Sequence, residues 1–158
     1  FDWLVRGGTD NTEYQQALPQ PISHHGYRGR NNTPGLPCAI FATYIQNFSI
    51  DHFRLRWEKP AAVWREGILF NNTKNVDLNN LHLRQPQDDN NAAIHCQEIE
   101  NFYLRNSRAA EGTSTFIHIA NSNKSTFVRY GGNDFSDATT ALSQTGKQIE
   151  LLPLKDLN

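Results

Sequence analysis

Asn47-Phe48-Ser49-Ile50-Asp51-His52-Phe53-Arg54-Leu55 is followed by Asn75-Val76-Asp77-Leu78-Asn79-Asn80-Leu81-His82-Leu83, 28 residues further on. Both stretches open on asparagine, and both place apolar residues at the same four later positions. Taking Asn47, Asn75, Asn101 and Lys124 as register marks extends the pattern in both directions, with spacings of 28, 26 and 23 residues. Ahead of each mark, at one offset, stands an isoleucine: Ile40, Ile68, Ile94 and Ile117. Behind each mark, at another shared offset, stand Ile50, Leu78, Leu104 and Phe127. A repeat of this size cannot bury its own apolar face, so neighbouring repeats must stack into a solenoid. The spacing predicts one buried column of the isoleucines and a second of Ile50, Leu78, Leu104 and Phe127.

Working outward, the repeats are made of short Ile-, Phe-, Val- and Leu-rich segments separated by polar corners. No stretch holds a helical period for three turns, so the segments read as strands. The chain has 17 asparagines, a residue that tolerates tight left-handed corners. An all-β class with several short strands per repeat predicts a right-handed parallel β-helix. The leucine-rich repeat is disfavoured because its leucine-asparagine consensus does not recur, and a propeller blade needs a longer repeat. Residues 1–37 hold four of the seven prolines and are expected to be an irregular lead-in. Residues 38–137 form the coils, and residues 138–158 are expected to cap the last one, since an open solenoid end exposes strand edges and core.

Composition narrows the function. The net charge is -1, which argues against a nucleic-acid-coating protein. No apolar run is long enough to span a bilayer, and none reads as a signal peptide. The chain contains no methionine, so it is expected to be a processed or truncated piece of something longer. Cys38 and Cys96 sit at different repeat offsets and are expected to be unpaired thiols in a β-core. His24 and His25 are adjacent, with no suitably spaced third ligand, so no metal site and no cofactor is expected. The sequons at Asn31, Asn47, Asn71 and Asn123 are of the kind an asparagine-rich chain produces by chance. Asn47 is expected in a corner hydrogen bond.

The coils Asn47–Leu55 and Asn75–Leu83 resemble the N-V-x-[IL]-x-N-[VL] coils of pectin-active β-helices. With Gly35–Ala39, the Trp57 region, Ala93-Ile94-His95 and Gly112–Ile117, they resemble the C-terminal coils of glycoside hydrolase family 28, over roughly residues 33–137. That family contains polygalacturonases and rhamnogalacturonases. The resemblance implies a secreted or periplasmic protein acting on acidic plant cell-wall polysaccharide by inverting hydrolysis, with one carboxyl as acid and another as base. It implies catalytic candidates at Asp88 and Asp89, by type with the family's Asp-Asp doublet, and at Glu66, one coil earlier. Gly-His-Gly and Arg-x-Lys have no counterpart. The catalytic coils are therefore expected upstream, packed against this segment, or this copy is degenerate. Asp88 and Asp89 equally read as part of a solvated turn, Gln85 to Asn91.

Arg54 and Arg56 flank Leu55 and so point away from the core. His82 and Arg84 take the same offsets one coil on, and Arg108 follows. Parallel coils about 4.8 Å apart would stack these into a basic ladder. Stacked like charges call for an anionic partner, and uronate carboxylates suit arginine. The other reading is neutralisation by Glu58, Glu111 or a missing part of the protein. Trp57 and Trp64 bracket a loop and either stack on sugar or plug the core beneath it. A non-catalytic carbohydrate-binding module of the tailspike kind is the rival to the hydrolase. A carboxylate cluster on neighbouring coils separates the two readings.

Overall fold

The computed structural model describes residues 1–7, 38–62, 64–88, 91–124 and 126–154. Most of the expected lead-in, with His24 and His25, lies outside the described residues, as does Asp89. The described chain is all-β, in twelve strands: β1 Asp2–Gly7, β2 Cys38–Thr43, β3 Gln46–Pro60, β4 Glu66–Asn71, β5 Lys74–Leu83, β6 Ala92–Gln97, β7 Glu100–Arg105, β8 Arg108–Ala109, β9 Thr113–Asn121, β10 Phe127–Gly131, β11 Ala138–Gly146 and β12 Glu150–Pro153. One sheet runs β2-β4-β6-β9-β11. The other runs β1-β3-β5-β7-β10-β12, with β8 beside β5. All pairings are parallel, and apart from β7 and β8, which lie in one sheet, successive strands alternate between sheets, so the chain winds a β-helix of about four turns.

The isoleucine column forms in the expected register, buried at Ile68, Ile94 and Ile117 and partly buried at Ile40. Ile40 pairs with Ile68, Ile68 with Ile94 and Ile94 with Ile117, and Leu142 continues the column. The second column holds for Ile50, Leu78 and Leu104, then departs from expectation. Tyr130, not Phe127, stands opposite Leu104, and Val128 stands opposite Phe102. The physical reason lies in one corner. Between β6 and β7 the corner is residues 98–99, whereas between β9 and β10 it is residues 122–126. Three added residues move the fourth register mark from Lys124 to Phe127. Glu98 holds the longer corner: its carboxylate accepts the backbone N–H groups of Ser122, Asn123 and Lys124 at 2.7, 3.1 and 3.2 Å.

The bends explain the asparagines. Asn47, Asn75 and Asn101 have φ of 58°, 55° and 61°, a left-handed conformation that asparagine adopts at low cost. Their amides also stack: Asn75 donates to Asn47 at 2.9 Å and Asn101 to Asn75 at 2.8 Å. A second bend at His52, Asn80, Asn106 and Gly132 is left-handed as well. It divides β3 and β5, setting off the second half of β3, with Arg54 and Arg56, and that of β5, with His82. A Cβ at Gly132 would meet Asn106 Oδ1 and strain a φ of 65°, so glycine suits this position.

Both ends are more regular than expected. Asp2–Gly7, inside the expected irregular segment, is a strand on β3, with Asp2 opposite Arg54 and Leu4 opposite Arg56. The expected cap is itself built as coil: β11 pairs β9 and β12 pairs β10, which places Leu142 over Ile117 and Leu151 over Val128. Cys38 and Cys96 are buried and unpaired. Burial, then the charge of Glu66, pushes the Cys38 thiol up to about 12, and burial pushes Cys96 upward too, so both act as small apolar groups.

Candidate functional site

The register assembles most of the expected basic ladder. Arg54 pairs with His82 and His82 with Arg108. Asp2 stands beyond Arg54 and Asp134 beyond Arg108, so a cationic row ends in an acid on either side. Arg56 and Arg84 lie two residues further along β3 and just past β5. They differ from the row in being neutralised. Arg56 Nε and Nη2 each donate to the Asp2 carboxylate at 3.2 Å, and Arg84 Nη1 donates to Asp88 at 2.7 Å.

The guanidinium groups of Arg54 and Arg108 and the ring of His82 make no hydrogen bond or ion pair with any described residue. The expected partners are engaged elsewhere or absent: Glu58 pairs with Arg6, and Glu111 forms no ion pair among the described residues. The Asp134 carboxylate instead accepts the amide and hydroxyl of Ser136 at 3.0 and 2.8 Å. Burial, then the charges of Arg108 and Arg54, hold the His82 imidazole below its ordinary value, and Asp137 partly opposes them. His82 is therefore neutral at neutral pH.

Three adjoining clefts follow the row. One of about 410 Å³ is lined by Arg54, His82 and Arg108 with Asn80 and Asn106. A second, of about 450 Å³, shares the same three residues and adds Arg56, Trp57, Arg84, Glu111 and Asp137. The third, of about 710 Å³, runs over the corners past Arg84, Asp88, Glu111, Gly112, Asp137 and Thr139. The corners are stitched together by the buried Gln85 side chain. Its amide donates to the Gly112 carbonyl at 2.9 Å, and its oxygen accepts the Ser114 N–H at 3.1 Å. Gly112 has φ of 80° and Arg84 lies against it, so a side chain there would displace the guanidinium.

The catalytic candidates separate. Asp88 is exposed on its turn, bound to Arg84, and Gln87 ties that turn to the Pro60 and Ala61 carbonyls. Glu66 belongs to the other sheet, where it is buried, lies 3.4 Å from His95, and lines a separate cleft of about 230 Å³. Nearby, His118 shares a 2.8 Å hydrogen bond with Ser143, and the His95 and His118 rings meet edge-on at 5.2 Å. Trp57 and Trp64 pack on each other with ring centroids 5.5 Å apart, and Trp57 donates to the Arg84 carbonyl at 3.0 Å. Trp57 thus packs against the core, with its ring reaching the second cleft.

Sequence reasoning missed Asp137, and named Glu111 only as a neutralising partner of the arginines. The two acids stand 26 residues apart, which is the true spacing of the last coils, as Arg108 and Asp134 also show. The signal was that spacing, and the misplaced mark at Lys124 hid it. Comparison of the chain with family models, with characterised proteins and with solved structures finds no match, so the family 28 resemblance rests on the coil motifs alone.

Proposed function

We propose that this β-helix binds an acidic polysaccharide along the row Arg54, His82 and Arg108. The observation that carries this reading is that Arg54 and Arg108 form no hydrogen bond or ion pair with any described residue, whereas Arg6, Arg56, Arg84 and Arg105 are ion-paired and Arg129 stacks on Phe127. The two guanidinium groups stand two coils apart, about 10 Å, with a neutral imidazole between them, and an anionic ligand seated between them relieves their repulsion. Arginine presents a fork matched to carboxylates. The family 28 resemblance supports uronate-rich plant polysaccharide as the ligand, and a secreted or periplasmic parent protein. The exposed Trp3 and Leu4 on edge strand β1 support packing against upstream coils.

A second reading, hydrolysis of the bound chain, is favoured by one observation: Asp88, Glu111 and Asp137 line one groove on neighbouring coils, beside the arginines. Glycoside hydrolysis needs one carboxyl to protonate the leaving oxygen and one to activate water or attack. Because Gly-His-Gly and Arg-x-Lys have no counterpart, the chain alone is expected to release no reducing ends from pectate. Turnover that is lost in both Glu111→Gln and Asp137→Asn would replace the binding reading with the hydrolytic one. The binding reading is tested by calorimetry with oligogalacturonate and a neutral galactan. Oligogalacturonate binds more tightly, and its affinity falls with salt as charges are screened over about 10 Å at 0.1 M. Equal affinity for the two sugars refutes it.

A further inference from the structure

We propose that the seat between Arg54 and Arg108 takes up a uronate carboxylate together with a proton, and that His82 is the residue that accepts it. This rests on the polysaccharide reading above and specifies how the same row handles each charged group of the ligand.

The geometry carries the argument. His82 stands in register between two guanidinium groups and lines both clefts that they line. Arginine cannot shed its charge, whereas imidazole can, so the empty row relieves its repulsion at His82 alone. The lowered imidazole value, from burial and from the two arginines, is the expected consequence. A carboxylate seated in the cleft reverses the balance. It attracts the imidazolium and gives its N–H groups an acceptor. Binding then favours the protonated ring, and by linkage protonation favours binding.

The other charged groups facing His82 do not take this role. His52 lines the same cleft but is bound to Asp51 at 2.9 Å. The Phe1 nitrogen donates to the His52 carbonyl at 2.6 Å. Asn80 and Asn106 are uncharged donors. Arg56 and Arg84 in the adjoining cleft keep their own carboxylates, Asp2 and Asp88. Asp137 and Glu111 stand on the far side of the row, and Asp137 already favours a proton at His82.

The test is calorimetry with oligogalacturonate in two buffers of different ionisation enthalpy, on wild type, His82→Gln and His52→Gln. Thermal melts confirm that each variant is folded. Wild type is expected to take up protons on binding. Its affinity is expected to rise as the pH falls from 8 to 5.5, by up to about tenfold if the bound carboxylate makes the His82 ring hold its proton about tenfold more tightly. His82→Gln is expected to bind without proton uptake and with a flat pH profile, and His52→Gln to behave as wild type. Uptake that survives in His82→Gln, uptake lost in His52→Gln, or a flat wild-type profile overturns the proposal. Absence of wild-type binding at every pH is a different failure, because it removes the arginine-row reading on which the proposal stands.

Discussion

Asn75 shows how much one side chain does in this molecule. It holds a left-handed bend, donates to Asn47 and accepts from Asn101. Asn75→Ala removes both hydrogen bonds and places a side chain with no local compensation at φ of 55°. The expected loss is about 1–3 kcal/mol, read from the denaturant midpoint, and a smaller loss is expected for Asn47→Ala at the exposed end of the ladder. Inside the coil, Leu78 is fully buried between Ile50 and Leu104. Leu78→Ala leaves a cavity between coils and should cost about 2–5 kcal/mol. An unchanged midpoint for either variant would contradict the stack. These positions were legible in the sequence because bend and core requirements recur at fixed offsets. Tyr130 was not, since an aromatic at either of two nearby positions satisfies the apolar pattern equally well.

At the scale of an element, the corner 122–126 decides the register of everything after it. Its length was hidden because Ser122 and Asn123 are ordinary corner residues, and nothing in their identity announces three more residues than the coil before. What stabilises the corner is the Glu98 carboxylate, two dozen residues away in sequence. Burial favours the protonated form, but the amides of Ser122, Asn123 and Lys124, helped by the Lys124 charge, together outweigh it and hold the carboxyl below its usual range. A carboxylate held low contributes stability that is complete above its unfolded value and is lost as the pH falls through its folded value. Protection of the Ser122 and Asn123 amides against hydrogen exchange, relative to open amides at the same pH, is therefore expected to fall in that acid window, and to be low at every pH in Glu98→Gln. Protection that is unchanged by Glu98→Gln would assign the corner another support. The strand β1 was likewise unreadable. Its partner β3 is about fifty residues away, and the prolines downstream of it gave the whole segment an irregular look.

For the whole molecule, a net charge of -1 conceals an uneven distribution. Several surface cations face a carboxylate one coil away, as Lys74 faces Glu100 and Arg105 faces Asp77. Arg54 and Arg108 stand opposite Asp2 and Asp134 but form no ion pair with them, and that difference cannot be read from composition or offset, because Arg56 and Arg84 share the same pattern and are paired. Only the register, with Asp2 brought beside Arg56 and Asp88 folded back onto Arg84, separates the two sets. The most direct measurement is therefore calorimetry of oligogalacturonate with two double variants, Arg54→Ala/Arg108→Ala and Arg56→Ala/Arg84→Ala. The unpaired set is expected to lose binding by about a hundredfold or more, since each charge-assisted contact is worth about 1.5–3 kcal/mol. The paired set is expected to stay within a few-fold of wild type. Wild-type affinity in Arg54→Ala/Arg108→Ala, or equal losses in both, would contradict the account and leave the row a solvated face of the solenoid.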